Sequence, residues 1–249
     1  MVDKMPLTAR TIVIEGHTDS EISYKKLCES SNMVGNQFII EKFKAITPES
    51  AQQEIVKLKL RWNYPWEGVQ QDLATGLKKS AYPTKNKLAR IACAISHYKL
   101  WLACARLNKP ILIMEHDAVF TQRLNPYYDI LDDKRFDIIG INNPIGNTRR
   151  AQTFLEKRDA AIDTKLNRQI TDIDVVPVPT IDNFDVPQGL AGNSAYIIKP
   201  TGARSVLVAV HQYGLWPNDA IMCKQLVPRM GVTKGNFTDT QKIVSTTTQ

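Results

Sequence analysis

Short apolar runs alternate along the chain with longer stretches in which apolar residues recur at helical spacing. The short runs are rich in β-branched or aromatic residues, which is typical of buried strands. The clearest periodic stretch follows Pro83 and ends just before Pro110, as expected for a helix with defined ends. The pattern predicts strands at residues 11–14, 110–114, 136–141 and 194–198, and helices at residues 20–30, 48–60, 88–107, 151–166, 200–210 and 219–226.

Strands that alternate with helices predict an α/β fold in which helices flank a mainly parallel central sheet, as in a Rossmann-type domain. The chain has 249 residues, of which 43% are hydrophobic, and this is enough to bury a full core. Such a length allows one large α/β domain or two small ones, and we expect a single domain over residues 1–249. In a sheet of this kind, ligands bind at the carboxyl ends of the strands.

The strand predicted at residues 110–114 ends in three ionisable residues, Glu115, His116 and Asp117. A solvated turn would explain Asp117 alone, but the apolar residues 118–120 place the group inside an apolar stretch. Carboxylates beside an imidazole can coordinate a divalent cation, and their oxygen atoms suit Mg²⁺ or Mn²⁺ bound together with phosphate. The sequence therefore predicts a metal site here, and a capped turn with an incidental histidine is the alternative.

The helix predicted at residues 88–107 carries a polar and aromatic face within an otherwise apolar pattern. Arg90, His97 and Trp101 fall within roughly 40° of one another on a helical wheel. A buried histidine packed against a tryptophan would explain two of these residues. The added arginine at helical spacing favours a face that binds anions.

The net charge of +7 is unevenly distributed along the chain. Residues 61–109 contain nine basic and two acidic residues, so this segment carries the whole positive excess. A polyanionic partner would explain the asymmetry, and a merely solubilising surface is the alternative. The lysines that we expect to contact a polyanion such as DNA are Lys78, Lys79, Lys85 and Lys87.

The four cysteines form no C-x-x-C pair and no zinc-binding spacing, which is typical of small core residues in a reducing cytoplasm. No run approaches the roughly 18 apolar residues that span a bilayer, and residues 1–10 show no signal-peptide pattern. We therefore expect a soluble, cytoplasmic protein without a transmembrane segment.

Four ordered blocks between residues 90 and 222 resemble the motifs of glycosyltransferase family 25. Members of that family typically show a C-x-x-SH-x-x-x-W helix, an apolar strand that ends in E-D-D, a G-x-x-A-Y-x-I segment and a P-x-D near the C-terminus. Two features depart from the family pattern. His116 stands where the middle aspartate is usual, and the first strand continues as IVIEGHTDSEISYKK instead of an Asn-Leu-x-x-x-x-x-Arg pattern. The matching residues are Cys93, Ser96, His97, Trp101, Glu115, Asp117, Gly192, Ala195, Tyr196, Ile198, Pro217 and Asp219.

The resemblance implies a GT-A fold, a nucleotide-sugar donor such as a UDP-sugar, Mn²⁺ or Mg²⁺, and inverting transfer of a sugar to a hydroxyl group. In such a reaction Asp117, assisted by Glu115 or His116, would hold the metal against the leaving diphosphate. Asp219, near the predicted start of a helix, is the candidate base for the acceptor hydroxyl, with an N-cap role as the alternative. The residues that we expect to bind the donor are Arg90, His97, Glu115, His116 and Asn193.

The acceptor is left open between two kinds of molecule. The family resemblance implies lipopolysaccharide sugars, whereas EHDAVF, NDAIMCKQL and a Ser/Thr-rich end resemble the branch found in tailed phages. Some phage glycosyltransferases modify hydroxymethylated cytosines, and the basic residues before the motif helix suit DNA. We favour hydroxymethylcytosine in phage DNA within a bacterial host, with lipopolysaccharide or another glycan as the alternative. A further alternative is a catalytically inactive module that binds a nucleotide sugar or DNA, since His116 departs from the family pattern.

Overall fold

The structure, a computed structural model, describes residues 7–125, 127–148, 150–162 and 171–242. Its strands are β1 (Thr8–Val13), β2 (Ile40–Lys44), β3 (Val69–Gln71), β4 (Lys78–Ser80), β5 (Ile111–Glu115), β6 (Ala118–Phe120), β7 (Ile138–Gly140), β8 (Val175–Pro177), β9 (Ala195–Ile198), β10 (Met230–Thr233) and β11 (Thr238–Thr240). Its helices are α1 (Thr18–Met33), α2 (Pro48–Lys57), α3 (Lys87–Leu107), α4 (Tyr127–Asp132), α5 (Ala151–Ile162), α6 (Pro200–Tyr213) and α7 (Asn218–Ile221).

Seven of these strands form the central sheet, in the order β2-β1-β5-β9-β7-β10-β8. β1 pairs in parallel with β2 and β5, and β7 pairs in parallel with β10. β9 and β8 run against their neighbours, so five strands share one direction and end at one edge of the sheet. The predicted α/β fold, with helices flanking a mainly parallel sheet, is confirmed.

Both faces of the sheet are covered, which explains why its central strands are continuous apolar runs. In β5, Ile111 and Ile113 belong to a buried cluster that includes residues of α3 and α6, whereas Leu112 and Met114 belong to a second cluster with residues of α1 and α4. Since the side chains of a strand alternate between its two faces, the two clusters lie on opposite sides of the sheet.

The helix α3 begins and ends close to the predicted residues. The Asn86 side chain accepts a hydrogen bond from the backbone N–H of Ala89 at 3.1 Å and caps the first turn. At the other end Asn108 adopts a left-handed conformation with φ of 50°, which asparagine tolerates, before the chain enters β5. Because this connection is short, α3 runs back along β5, and its N-terminal half lies beside the carboxyl end of the strand.

The four predicted strands are confirmed, and the predicted helices are present with one clear error of extent. The helix predicted at residues 219–226 ends at Ile221, because the backbone of Cys223 pairs with Gly189 instead of continuing the helix. Residues 163–166 of another predicted helix lie outside the described residues. The unpredicted strands each have five residues or fewer, which is too short for a clear pattern. No helix among the described residues is long and apolar enough to cross a membrane.

Candidate active site

The carboxyl edge of the sheet gathers polar residues from two neighbouring strands. β5 ends at Glu115, and His116 and Asp117 form the turn that leads into β6. Because β9 runs antiparallel to β5, the residues that precede it, Asn193 and Ser194, arrive at the same edge. The backbone N–H of Glu115 donates a hydrogen bond to the carbonyl of Ser194 at 2.9 Å, which holds the two segments side by side.

The Asp117 carboxyl group lies mostly buried beside the Glu115 carboxylate. Burial, and to a lesser extent the charge of Glu115, raise the pKa of Asp117 from 3.8 to about 7. Among the described residues, its buried Oδ1 atom has no hydrogen-bond partner, and neither do the side-chain amide of Asn193 or the hydroxyl of Ser194. A buried polar group without a partner costs about 1–3 kcal/mol, so the polar groups of a ligand would stabilise this edge.

The oxygen atoms at this edge fit a divalent cation of the expected kind. Asp117 and Glu115 offer the carboxylate oxygens that Mg²⁺ and Mn²⁺ prefer. A second possible ligand group consists of Cys93, His97 and Glu115, whose ligand atoms lie within 4.8 Å of one another. A thiolate is a soft ligand, however, which suits Zn²⁺ better than Mg²⁺ or Mn²⁺. The carboxylate pair therefore suits the cation better than the group that contains the thiol.

The His116 side chain is directed toward the end of β1. It is hydrogen-bonded to the backbone of Ile12 and lies near His17. Burial lowers the pKa of His116, while the charge of Glu115 partly offsets this effect, so the neutral imidazole is favoured. The structure gives His116 a contact that joins β1 to the turn, and its role as a metal ligand stays a prediction.

His97 lies behind Glu115, inside the protein. Its side chain is 0% exposed, with Nε2 3.4 Å from Oε1 of Glu115 and Nδ1 2.9 Å from the hydroxyl of Tyr196. The indole N–H of Trp101 donates a hydrogen bond to the same hydroxyl at 2.9 Å. The expected direct contact between His97 and the donor is therefore wrong, because the buried ring has no surface that a ligand could reach.

Asp219 lies in the first turn of α7, close to Arg90 of α3. Burial raises the pKa of Asp219, while the charge of Arg90 and a hydrogen bond from the Tyr82 hydroxyl partly offset this effect. The Arg90 guanidinium lies over the Tyr82 ring, 5.1 Å from its centroid, and donates to the Thr84 hydroxyl and the Pro83 carbonyl. The structure thus brings the candidate base and one expected donor-binding residue together.

The helix α7 faces the same site as the end of β5. The negative charge of Glu115 adds to the rise in the pKa of Asp219, and Sγ of Cys93 in α3 lies 3.7 Å from Oδ1 of Asn218. Pro217 occupies the N-cap position of α7, so the alternative N-cap role of Asp219 is wrong. α3, α7 and the end of β5 therefore enclose one polar site.

The four lysines that we expected to contact DNA lie in different surroundings. Lys79 is 1% exposed: its ammonium group is 2.6 Å from a carboxylate oxygen of Asp72, donates to a backbone carbonyl and lies over the Trp216 ring. The predicted phosphate contact at Lys79 is therefore wrong, because its ammonium group is buried in an ion pair with Asp72. Lys78 is exposed and paired with Asp185 at 2.7 Å. Both Lys85 and Lys87 are exposed, with Lys87 placed over the Trp66 ring.

Sequence analysis assigned no role in the site to three residues that line or support it. Tyr196 belonged to a matching motif, and a tyrosine in an otherwise apolar strand signals a buried hydroxyl that needs a partner. Ser194 directly precedes that strand, at the edge where ligands bind. Tyr82 lies in a loop whose sequence contains no signal for its hydrogen bond to Asp219.

Two solved structures of glycosyltransferases resemble the chain only distantly. WbbM, a bifunctional glycosyltransferase in its apo form, shares 8% identity and a TM-score of 0.46, over 92% of this chain and 39% of that chain. Mouse xyloside xylosyltransferase 1, also in its apo form, shares 8% identity and a TM-score of 0.42, over 92% of this chain and 85% of that chain. No curated protein matches the sequence.

The sequence profile described as glycosyltransferase family 25 (LPS biosynthesis protein) matches residues 25–222. The matched residues include the whole of α3, the carboxyl end of β5 and the helix that carries Asp219. Since the match covers well over half of the 249 residues, the chain belongs to glycosyltransferase family 25.

Proposed function

We propose that the protein transfers a sugar from a nucleoside diphosphate donor, a UDP-sugar in the first instance, to a hydroxyl group of a saccharide. One observation carries this proposal. The carboxyl edge of the sheet contains buried polar atoms of Asp117, Asn193 and Ser194 that have no protein partner among the described residues. The hydroxyl and phosphate groups of a nucleotide sugar would supply those partners, and membership of the family supports this class of ligand.

We propose that the donor is bound together with a divalent cation, Mn²⁺ or Mg²⁺. Asp117 and Glu115 would hold the ion through their carboxylate oxygens. When bound, the ion supplies positive charge that stabilises the negative charge of the departing diphosphate. Asn193 binds hydroxyl groups of the donor through its amide, which can both donate and accept hydrogen bonds.

Arg90 contributes a second positive charge at the site. Its guanidinium has five N–H donors, and the contacts with Thr84 and Pro83 use two of them. The others can reach the leaving group, where a fixed cation lowers the energy of the developing charge. Because the guanidinium is held over the Tyr82 ring, it is oriented before the substrate binds.

Asp219 is the base in this proposal. Burial raises the pKa of its carboxyl group, which makes the carboxylate a stronger base. The hydrogen bond from Tyr82 orients the carboxylate. Asp219 takes the proton of the acceptor hydroxyl while that oxygen attacks the anomeric carbon and the diphosphate leaves from the opposite face. A single displacement of this kind inverts the anomeric configuration.

A saccharide acceptor has more support than DNA. The expectation of hydroxymethylcytosine DNA finds no support in the comparisons, and Lys79, one of its four expected contacts, is buried in an ion pair. Trp62 and Trp66 stack with ring centroids 4.9 Å apart and are both partly exposed near the start of α3. Aromatic faces of this kind pack well against the apolar faces of sugar rings.

The test is a screen of sugar nucleotides, UDP-sugars first, with Mn²⁺ or Mg²⁺ and with lipopolysaccharide core oligosaccharides as acceptors. We expect release of nucleoside diphosphate that rises when the right acceptor is added, and loss of transfer in the Asp219→Asn variant. The exposed carboxylate Asp159 provides a control, since Asp159→Asn should transfer normally. Failure of the folded protein to turn over any donor would favour an inactive binding module, and transfer to hydroxymethylcytosine DNA would refute the saccharide acceptor.

A further inference from the structure

We propose that Trp101, Tyr196 and His97 form a directed hydrogen-bond relay that fixes the tautomer of His97 and so orients the Glu115 carboxylate. These three are positioning residues, since they act on the ligand site only through Glu115. The proposal concerns the arrangement of the protein's own side chains, and its consequence for donor binding rests on the function proposed above.

The fold brings the members of the relay onto one face of the sheet. Tyr196 of β9 is paired with Ile113 of β5, and Glu115 lies two residues further along β5 on the same face. His97 and Trp101 are four residues apart in α3, so they project from the same side of that helix. Since α3 packs on this face, His97 lies between the tyrosine hydroxyl and the carboxylate.

The direction of the relay follows from its first member. An indole N–H can only donate a hydrogen bond, so the hydroxyl oxygen of Tyr196 accepts from Trp101. The hydroxyl proton then needs an acceptor, and the neighbouring group is Nδ1 of His97 at 2.9 Å. Burial raises the pKa of Tyr196 well above its usual value, which keeps that proton in place. Nδ1 is therefore the acceptor, and the imidazole proton resides on Nε2.

The other end of the relay requires the same tautomer. Nε2 of His97 faces Oε1 of Glu115 at 3.4 Å, where an N–H is attracted to the carboxylate and a bare lone pair would be repelled. The opposite tautomer would also leave the Tyr196 hydroxyl proton buried without an acceptor. Trp101, Tyr196 and His97 are each 0% exposed, so water cannot substitute for a missing hydrogen-bond partner.

The relay leaves one oxygen of Glu115 for the ligand. Oε1 is the atom that faces His97, and about a third of the Glu115 side chain, 34%, remains exposed. A carboxylate held at one oxygen cannot rotate freely, so its second oxygen is presented in one direction. Partners of this kind behind a ligand-binding side chain commonly change affinity or activity by about 10–100-fold when they are removed.

The tautomer can be observed directly by nitrogen NMR of ¹⁵N-histidine-labelled protein at about pH 8, where an ordinary histidine is neutral. We expect His97 to carry its proton on Nε2 in the parent. In Tyr196→Phe the Nε2–H tautomer should remain the major form, because Glu115 still favours it, and the Nδ1–H tautomer should become detectable as a minor form, because Nδ1 loses its donor. The control is Tyr98→Phe, which removes the hydroxyl of the residue next to His97 and should leave the Nε2–H tautomer unchanged. A parent with the proton on Nδ1 would overturn the proposal, whatever the enzymatic activity.

Two substitutions of His97 separate the relay from simple packing. The amide N–H of a glutamine reaches about the position of Nε2 and can still donate to Glu115, whereas an asparagine reaches only the position of Nδ1. For folded variants with similar thermal midpoints, we expect His97→Gln to keep the donor KM within about threefold of the parent and His97→Asn to raise it by about 10–100-fold. Equal effects of the two variants would mean that Glu115 is not oriented through Nε2.

The two proposals fail in different ways. A parent that shows the expected tautomer but turns over no donor would refute sugar transfer and leave the relay intact. In that case binding of UDP with Mn²⁺, measured by calorimetry, replaces the donor KM in the comparison of His97→Gln with His97→Asn. An active parent with the opposite tautomer would refute the relay and leave sugar transfer intact.

Discussion

Replacing Asp117 with asparagine should abolish transfer and at the same time stabilise the metal-free protein above neutral pH. The substitution keeps the shape of the side chain and removes its charge. Burial and the neighbouring Glu115 charge raise the pKa of Asp117 from 3.8 to about 7, so ionisation of this carboxyl group opposes folding. Stability should therefore fall as the pH rises from the unfolded pKa to the folded pKa, and the asparagine variant should escape this loss.

The size of the effect is limited by partial exposure. A shift of about three pKa units corresponds to about 4 kcal/mol at most, and solvent screening together with relaxation around Glu115 reduces this to about 1–2 kcal/mol. For a chain of this length such a gain raises the thermal midpoint by about 2–8 °C. The midpoint should be measured by circular dichroism with a chelator present, at about pH 8 and at about pH 3, where the carboxyl group is largely neutral in both states.

The comparison with an exposed carboxylate makes the measurement specific. Asp132→Asn, at the exposed end of α4, should show no gain that depends on pH. Addition of Mn²⁺ should stabilise the parent by about 2.7 kcal/mol at a hundredfold excess over its Kd and should stabilise Asp117→Asn much less. An Asp117→Asn variant that is no more stable than the parent at pH 8, or equally more stable at both pH values, would refute the assignment of a buried charge repelled by Glu115.

Other substitutions test the remaining assignments. Asp219→Asn should lower kcat by about 10²–10⁴-fold with little change in the donor KM, and steady-state rates near those of the parent would exclude it as the base. His116→Asp restores the usual family residue and should retain activity with a changed preference between Mn²⁺ and Mg²⁺ in a metal titration, whereas complete loss would show that the imidazole has its own role. Lys79→Met leaves Asp72 buried without its partner and should lower the free energy of unfolding in urea by about 3–5 kcal/mol. Lys78→Met removes an exposed ion pair and should lower it by at most about 1 kcal/mol. Similar losses in the two variants would contradict the difference in burial.

The main strands and helices could be predicted from the sequence because local patterns determine them. The apolar run of β5 and the capping residue Asn86 of α3 are local signals, and both elements lie close to their predicted bounds. The antiparallel direction of β9 has no such signal, since a short apolar run reads the same in both directions. That direction brings Asn193 and Ser194 to the active edge, and it depends on the path of the whole preceding connection.

The position of the candidate site could be predicted from the sequence, but the burial of individual side chains could not. The rule that ligands bind at the carboxyl ends of strands identified Glu115 and Asp117. A helical wheel placed His97 on the correct side of α3 but could not show that Glu115 lies between it and the site. Lys79 illustrates the same limit in a strand: in β4 the middle residue points inward, and its partner Asp72 lies in the turn that joins β3 to β4.

The distance between Asp219 and the carboxylates at the end of β5 depends on backbone packing at residues outside the P-x-D and E-D-D motifs. A Cβ atom on Gly189 would lie 2.5 Å from the Met222 carbonyl oxygen and 3.0 Å from that of Asp219, so only glycine allows this close approach to α7. Four residues beyond Gly189, the same segment reaches Asn193 at the end of β5. One continuous stretch of chain therefore contacts both the helix that carries the base and the strand end that carries the carboxylates, and a change in its path would displace one relative to the other.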